Sequence, residues 1–174
     1  MQIILYEEKN FQGHHYDCVN DCPNMNSYIR RCNSVRVISG SWIVYECTNY
    51  KGYQYFLKRG EYPEFQDWMG FNDSIRSCIA IPQYKGSYRL RLYERNNFGG
   101  KMLEAVDDCP SVFDRFNHHD IQSCNVFDGY WIFYELPNYK GRQYCLRPGE
   151  YRRFSDWGAL NARVGSFKKI TEFS

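Results

Sequence analysis

The side chains of this 174-residue chain best suited to metal or nucleophilic chemistry are four histidines and eight cysteines. The histidines come as two doublets, His14-His15 and His118-His119. Neighbours on a strand point to opposite faces, so His14 and His15 cannot grip one ion together. His118-His119-Asp120 precedes a strand and offers at best a weak metal site, and solvated surface histidines are the better reading of both doublets. The cysteines stand at 18, 22, 32, 47, 78, 109, 124 and 145. Cys18 and Cys22 bracket three residues, but no second pair at zinc-ligand spacing accompanies them, and a structural zinc needs four converging ligands. A redox bridge between these two stays open on spacing alone. Cys18, Cys22 and Cys145 are read as the exposed, crosslink-prone thiols. Catalytic signatures are missing: no Gly-x-Ser-x-Gly elbow, phosphate loop, dinucleotide glycines or His-Glu-x-x-His occurs. The regularly placed carboxylates Glu7, Glu46, Glu94 and Glu135 recur at one place in a repeat, which suits a scaffold better than acid–base catalysis.

Composition narrows the classes further. Twenty-two Lys and Arg against twenty Asp and Glu leave a net charge of +2, so no basic field favours nucleic acid or an anionic membrane. The aromatic share of 18% would suit base stacking only beside a positive groove. Mean hydropathy of -0.66 and no long apolar run argue against a membrane span. Residues 1–7 carry no basic stretch leading into an apolar core and a small-residue cleavage site, so an intracellular protein with reduced thiols is expected.

The elements that must position these residues follow from an internal repeat. The pattern Tyr-Glu-x-x-Asn-aromatic-x-Gly occurs four times, starting at Tyr6, Tyr45, Tyr93 and Tyr134. A longer period of 89 residues relates Trp42 to Trp131, Trp68 to Trp157 and Gly60-Glu61-Tyr62 to Gly149-Glu150-Tyr151. Asp21-Cys22-Pro23 returns as Asp108-Cys109-Pro110 after 87 residues, so the third unit is two residues longer. The chain therefore reads as two tandem halves of two units each. The expected boundaries are 1–81, divided into 1–39 and 40–81, a linker at 82–87, and 88–174, divided into 88–128 and 129–174. Within units the local period is two, as in Arg89-Leu90-Arg91-Leu92-Tyr93, which is the mark of a half-buried strand. The Asn-aromatic-x-Gly that follows is a tight turn, with the Gly free to take positive φ. At most a turn or two of helix fits at 24–31, 65–69 and 111–116. An all-β fold of two tandem sandwiches is expected.

The repeat resembles the βγ-crystallin Greek key, in the two-domain form of the lens γ-crystallins. The residues carrying the resemblance are an aromatic, a Gly seven positions on, and a later Ser. They are Tyr6, Gly13 and Ser34; Tyr45, Gly52 and Ser77; Tyr93, Gly100 and Ser123; and Tyr134, Gly141 and Ser166. The resemblance implies that each Gly takes an unusual backbone conformation in a folded-over hairpin, which the Ser closes by hydrogen bonding. It also implies tyrosine corners near Tyr62 and Tyr151 and one tryptophan pair per domain.

One expectation rests on residue phase as well as resemblance. Ile43 lies in the outward phase beside inward Trp42 and Val44, and its counterpart is Ile132. Phe56 corresponds to Cys145, and Ile81 to Ile170. Apolar residues on the wrong face of a sandwich mark a partner surface, and because both halves carry the set, the simplest partner is the other half. The resemblance adds Gln54 and Gln143 as flanking residues. Cys145 is smaller than the residue expected there, which predicts weaker packing.

The function the resemblance implies is that of a structural lens protein, held at very high concentration in fibre-cell cytoplasm to raise refractive index. It implies a monomer with paired domains and weak, non-specific contacts with other crystallins, with no cofactor, nucleic acid or membrane partner. Arg exceeds Lys by 14 to 8, and polarisable guanidinium, thiol and aromatic groups agree with that role. The alternative is a calcium-binding module of the same family, whose ligand pattern is Asn/Asp-Asn/Asp-x-x-Ser/Thr-Ser. The nearest match, Asn72-Asp73-Ser74-Ile75-Arg76-Ser77, puts a cation at the fifth position. Asn72, Asp73 and Ser77 are thus the candidates for at most weak binding of a hard cation. A third class is an unrecognised enzyme or a non-lens βγ protein.

Overall fold

Alternating apolar residues build two units of similar architecture, Met1–Gln83 and Tyr84–Thr171. The computed structural model describes residues 1–171. The first unit contains β1 (Gln2–Glu8), β2 (Gln12–Cys18), β3 (Ser34–Ser39), β4 (Trp42–Cys47), β5 (Lys51–Leu57), β6 (Gly60–Tyr62) and β7 (Ser77–Ala80). One antiparallel sheet runs β2-β1-β3-β6, and a second runs β5-β4-β7. The second unit repeats this with β8 (Arg89–Arg95), β9 (Gly99–Ala105), β10 (Ser123–Asp128), β11 (Trp131–Leu136), β12 (Lys140–Leu146), β13 (Gly149–Tyr151) and β14 (Ser166–Lys169). Its sheets run β13-β10-β8-β9 and β12-β11-β14.

The two repeats in a unit are interlocked. β6 comes from the second repeat but pairs with β3 of the first. In return, Cys22 of the first repeat pairs with Cys78 on β7. Cys109 and Phe167 make the same bridge in the second unit. This exchange gives two Greek keys per sandwich, and neither key completes its sheets without the other. The inward strand phases fill the space between sheets. Ile3, Leu5, Trp42, Val44, Tyr55, Leu57 and Trp68 join one core, and Leu90, Leu92, Trp131, Phe133, Leu146 and Trp157 another. Each such side chain contributes roughly 1.5–3 kcal/mol on full burial. The indole N–H of Trp42 donates to the Ser39 carbonyl at 3.1 Å, and that of Trp131 to the Asp128 carbonyl at 3.0 Å.

Two of the three expected helical turns form. Phe65–Trp68 is a 3-10 turn, and Val112–Phe116 is a short helix, α1, whose first turn is capped by the Ser111 hydroxyl accepting from the Asp114 N–H at 3.3 Å. Segment 24–31 instead makes irregular turns. Asn24, standing where Ser111 stands in the second unit, accepts from the Asn26 N–H only two residues on. The Tyr28 and Ile29 amides make one turn back to the Met25 carbonyl, at 2.9 and 3.1 Å, but the donors beyond go to tertiary acceptors, Arg30 N–H to Glu7 at 2.8 Å and Cys32 N–H to the Asp73 carbonyl at 2.7 Å. With its donors satisfied elsewhere, the helix does not propagate.

Candidate functional site

The four repeat segments become four folded hairpins, at β1–β2, β4–β5, β8–β9 and β11–β12. In each, the strand register slips immediately after the repeat tyrosine, leaving Glu7, Glu46, Glu94 or Glu135 in the bulge. Three of these carboxylates hold a backbone amide: Glu7 accepts from Arg30 at 2.8 Å, Glu46 from Tyr53 at 3.4 Å and Glu94 from Lys101 at 3.3 Å. Their recurrence is therefore structural.

The repeat serines close the hairpins from a strand 26 to 30 positions on. Ser34 donates to the Glu8 carbonyl at 2.6 Å and accepts from Phe11 N–H at 2.9 Å. Ser77 donates to the Cys47 carbonyl and accepts from Tyr50, at 2.6 and 3.1 Å. Ser123 does the same between Arg95 and Phe98, at 2.6 and 2.9 Å. Ser166 does so between Leu136 and Tyr139, at 2.7 and 2.9 Å. All four serines are fully buried. A hydroxyl committed as donor and acceptor at once is a strut, its proton held by a backbone carbonyl.

Gly13, Gly52, Gly100 and Gly141 take φ of 75 to 82°, in the left-handed region. The sequence reading assigned positive φ to the Gly alone. The structure puts the Asn and the aromatic, three and two positions before it, there too: Asn10 and Phe11, Asn49 and Tyr50, Asn97 and Phe98, and Asn138 and Tyr139 all lie between 55 and 62°. Asn tolerates this; a bulky aromatic does so only under constraint. The constraint is visible. Each aromatic packs edge-on against the repeat tyrosine at 5.5 to 5.7 Å between ring centres. Each Asn N–H donates to a carbonyl of the other Greek key: Asn10 to Pro63, Asn49 to Pro23, Asn97 to Arg152 and Asn138 to Pro110, at 2.8 to 2.9 Å. That explains the repeated Asp-Cys-Pro. Its Pro carbonyl receives the hairpin Asn, and its Asp21 or Asp108 carboxylate accepts from Ala80 or Lys169 at 2.8 Å.

The expected tyrosine corners are present. Tyr62 donates to the Lys58 carbonyl and Tyr151 to that of Arg147, both at 2.9 Å. Ile43 stands opposite Phe56 on one side and Ile79 on the other, in a row across the three-stranded sheet. Ile132 stands between Cys145 and Lys168 in the equivalent row. Gln54 pairs with Tyr45 and Gln143 with Tyr134, while Ile81 and Ile170 follow β7 and β14 and donate to the Ser41 and Tyr130 carbonyls.

The residues singled out for metal chemistry do not converge. His14 and His15 are exposed neighbours on β2. His118 faces Glu94 at 3.2 Å, whereas His119 stacks on Phe113 with ring centres 4.4 Å apart. Among the described residues no three His, Cys, Asp or Glu side chains gather as metal ligands. Of the calcium candidates, Ser77 is committed to its hairpin, Asn72 accepts from Ser74 N–H and reaches Glu46, and Asp73 meets the Asn33 amide at 3.5 Å. The thiols expected to be exposed are not the exposed ones. Cys18 and Cys22 are buried, at 2% and 7% exposure, because the inward phase of β2 carries Cys18 into the core and the bridge to Cys78 holds Cys22 against it, and Cys145 is intermediate. The exposed thiol is Cys47, at the end of β4.

The beta/gamma crystallin family model matches residues 2–81 and 89–170, nearly the whole chain. The chain belongs to the beta/gamma crystallin family. Among its crystallin relatives, gamma-crystallin M2 of Chiloscyllium indicum is 62% identical over 171 residues, 98% of this chain and 97% of the relative. Gamma-crystallin-1 of Xenopus laevis is 61% identical over 97% of each chain. Gamma-crystallin B of Bos taurus is 58% identical over 99% of this chain and 98% of the relative. All four crystallin hairpins here are complete in aromatic, Gly and Ser, and their geometry serves folding throughout.

Proposed function

We propose that this chain is a structural constituent of the eye lens, contributing refractive index and transparency as a monomer in fibre-cell cytoplasm without catalysis or cofactor. The observation that carries the reading is the 58–62% identity to gamma-crystallins over almost the full length. Near-balanced charge, 22 basic against 20 acidic residues, agrees with crowding at high concentration and weak contacts with other crystallins. The domain limits are proposed as 1–81 and 88–174, joined by 82–87. The two domains pair through Ile43, Phe56, Ile81, Ile132, Cys145 and Ile170, flanked by Gln54 and Gln143. What supports the pairing is that apolar residues sit at equivalent places on the strand phase away from each domain's own core. Quantitative mass spectrometry of lens fibre and other tissues tests the role: the chain should be abundant in lens, and scarcity there overturns it. Calorimetric titration with calcium should give only heats of dilution; a saturable isotherm would favour the calcium-binding module.

A further inference from the structure

Four serines of this chain have an arginine three positions before them: Ser34 after Arg31, Ser39 after Arg36, Ser155 after Arg152 and Ser166 after Arg163. Ser155 alone has a second arginine two positions before it, in Arg152-Arg153-Phe154-Ser155. The structure separates the four. Ser34 and Ser166 are buried struts whose hydroxyls are committed on both sides, and Ser39 is half-buried on β3. Ser155 is exposed, as are Arg152 and Arg153 before it and Asp156 after it. It stands in the 3-10 turn Phe154–Trp157, which follows the edge strand β13. Phe154 and Trp157 anchor that turn to the core. The Asp156 carboxylate caps it, accepting from Arg152 N–H at 2.9 Å and Arg153 N–H at 3.3 Å. The turn itself needs neither the hydroxyl nor the arginines. The equivalent turn of the first unit, Phe65–Trp68, carries Gln66 at the Ser155 position and Pro63-Glu64 before it. There Asp67 supplies the same cap, accepting from Glu64 N–H at 3.0 Å.

We propose that Ser155 is a phosphorylation site for a serine kinase whose substrate cleft reads guanidinium groups with carboxylates. Two adjacent, permanently charged forks on an exposed segment are what such a cleft recognises. In the transfer the Ser155 Oγ attacks the γ-phosphorus of ATP. The bond from that phosphorus to the β,γ-bridging oxygen breaks, ADP leaves, and the hydroxyl proton passes to the catalytic carboxylate of the kinase. A kinase cleft takes its substrate extended, so the turn must open locally. Two turn bonds stand in the way, Asp156 N–H to the Arg153 carbonyl and Gly158 N–H to the Ser155 carbonyl, both 3.0 Å and both at the surface. The Arg152 guanidinium must also leave Glu150, and an exposed pair at 3.1 Å holds it weakly. A phosphate carrying about two negative charges takes the net charge of the chain from +2 to about zero.

The test incubates the folded full chain with ATP and the catalytic subunit of a cyclic-AMP-dependent kinase, which reads paired arginines. Intact mass and phosphopeptide mapping then locate the product. One phosphate is expected, on Ser155, with isoelectric focusing moving the product to the acidic side of the parent. Ser155→Gln copies the first unit's residue into an equivalent turn, so it leaves the fold in place and should abolish labelling. Arg152→Gln together with Arg153→Gln should slow labelling at least about tenfold with Ser155 intact, because the charge-assisted contacts to the cleft are gone. A folded parent that takes up no phosphate overturns the proposal. So does labelling that appears only in urea, phosphate on Thr171 after Lys168-Lys169 or elsewhere in place of Ser155, or a rate unmoved by the loss of both arginines.

Discussion

Phe11, Tyr50, Phe98 and Tyr139 occupy a backbone region that disfavours them by about 1–3 kcal/mol each, and the hairpin serines are what hold them there. Removing one hydroxyl leaves both a buried amide and a buried carbonyl without that partner. Ser123→Ala should therefore destabilise the second domain by about 2–4 kcal/mol, from a penalty of roughly 1–3 kcal/mol per unsatisfied buried group, and chemical denaturation followed by tryptophan fluorescence would measure it. Gly165 is a second sensitive position, one that the repeat concealed. Its first-domain counterpart is Arg76, so the alignment of halves gives no reason for a glycine. The structure does: a Cβ at Gly165 would lie 2.3 Å from the Leu136 carbonyl carbon and 2.6 Å from the Pro137 nitrogen. These are backbone atoms and cannot swing aside. Gly165→Ala should cost about 3 kcal/mol, at the upper end for overpacking, visible as a lowered unfolding midpoint of the second domain alone. Tyr, Gly and Ser were legible as fixed points because they recur four times. The positive φ of the aromatic was not, since its cause is a serine on a strand 23 to 27 positions later.

Between elements, the tyrosine corners tie the ends of β5 and β12 to the short strands that follow them. Tyr151 both donates to and accepts from the Arg147 backbone at 2.9 Å, and burial pushes its phenol up to about 12. The folded domain therefore holds this proton where the unfolded chain, near pH 10, releases it. The stability this contributes is complete below about pH 10 and is lost as pH rises towards about 12, because the native state binds more protons in that window. The unfolding midpoint of the second domain should fall across that range. Tyr151→Phe should make the fall shallower without abolishing it, since burial moves Tyr134 and Cys124 in the same direction. At neutral pH the same change should cost about 1 kcal/mol for the lost hydrogen bond. Strand phases at this scale were readable from the period of two, while segment 24–31 was not. Whether its amides turned back into a helix depended on acceptors at Glu7 and Asp73, one before the segment and one far after it.

For the whole molecule, the proposed pairing of domains predicts that Ile43→Asp and Ile132→Asp each lower the stability of one domain and weaken the coupling between the two. Equilibrium unfolding should then separate into two transitions, and transitions unchanged from the parent would refute the interface. The second domain's row, with Cys145 and Lys168 beside Ile132, is less apolar than the first domain's Phe56 and Ile79 beside Ile43, so the Ile43 change should be the more damaging. The amino-acid sequence by itself determined the all-β class, the four repeats, and the hairpin residues. These properties are periodic along the chain, and local backbone preference and alternation act over two to ten residues. Only the tertiary structure decided which groups meet from far apart in the chain: the hairpin Asn with the other key's carbonyl, Gly165 with the Leu136 backbone, and Cys18 with Cys78 rather than its near neighbour Cys22. Those contacts arise from the folding-over of each hairpin and the exchange of strands between interlocked Greek keys, which bring together residues tens of positions apart and leave no local trace of the partner.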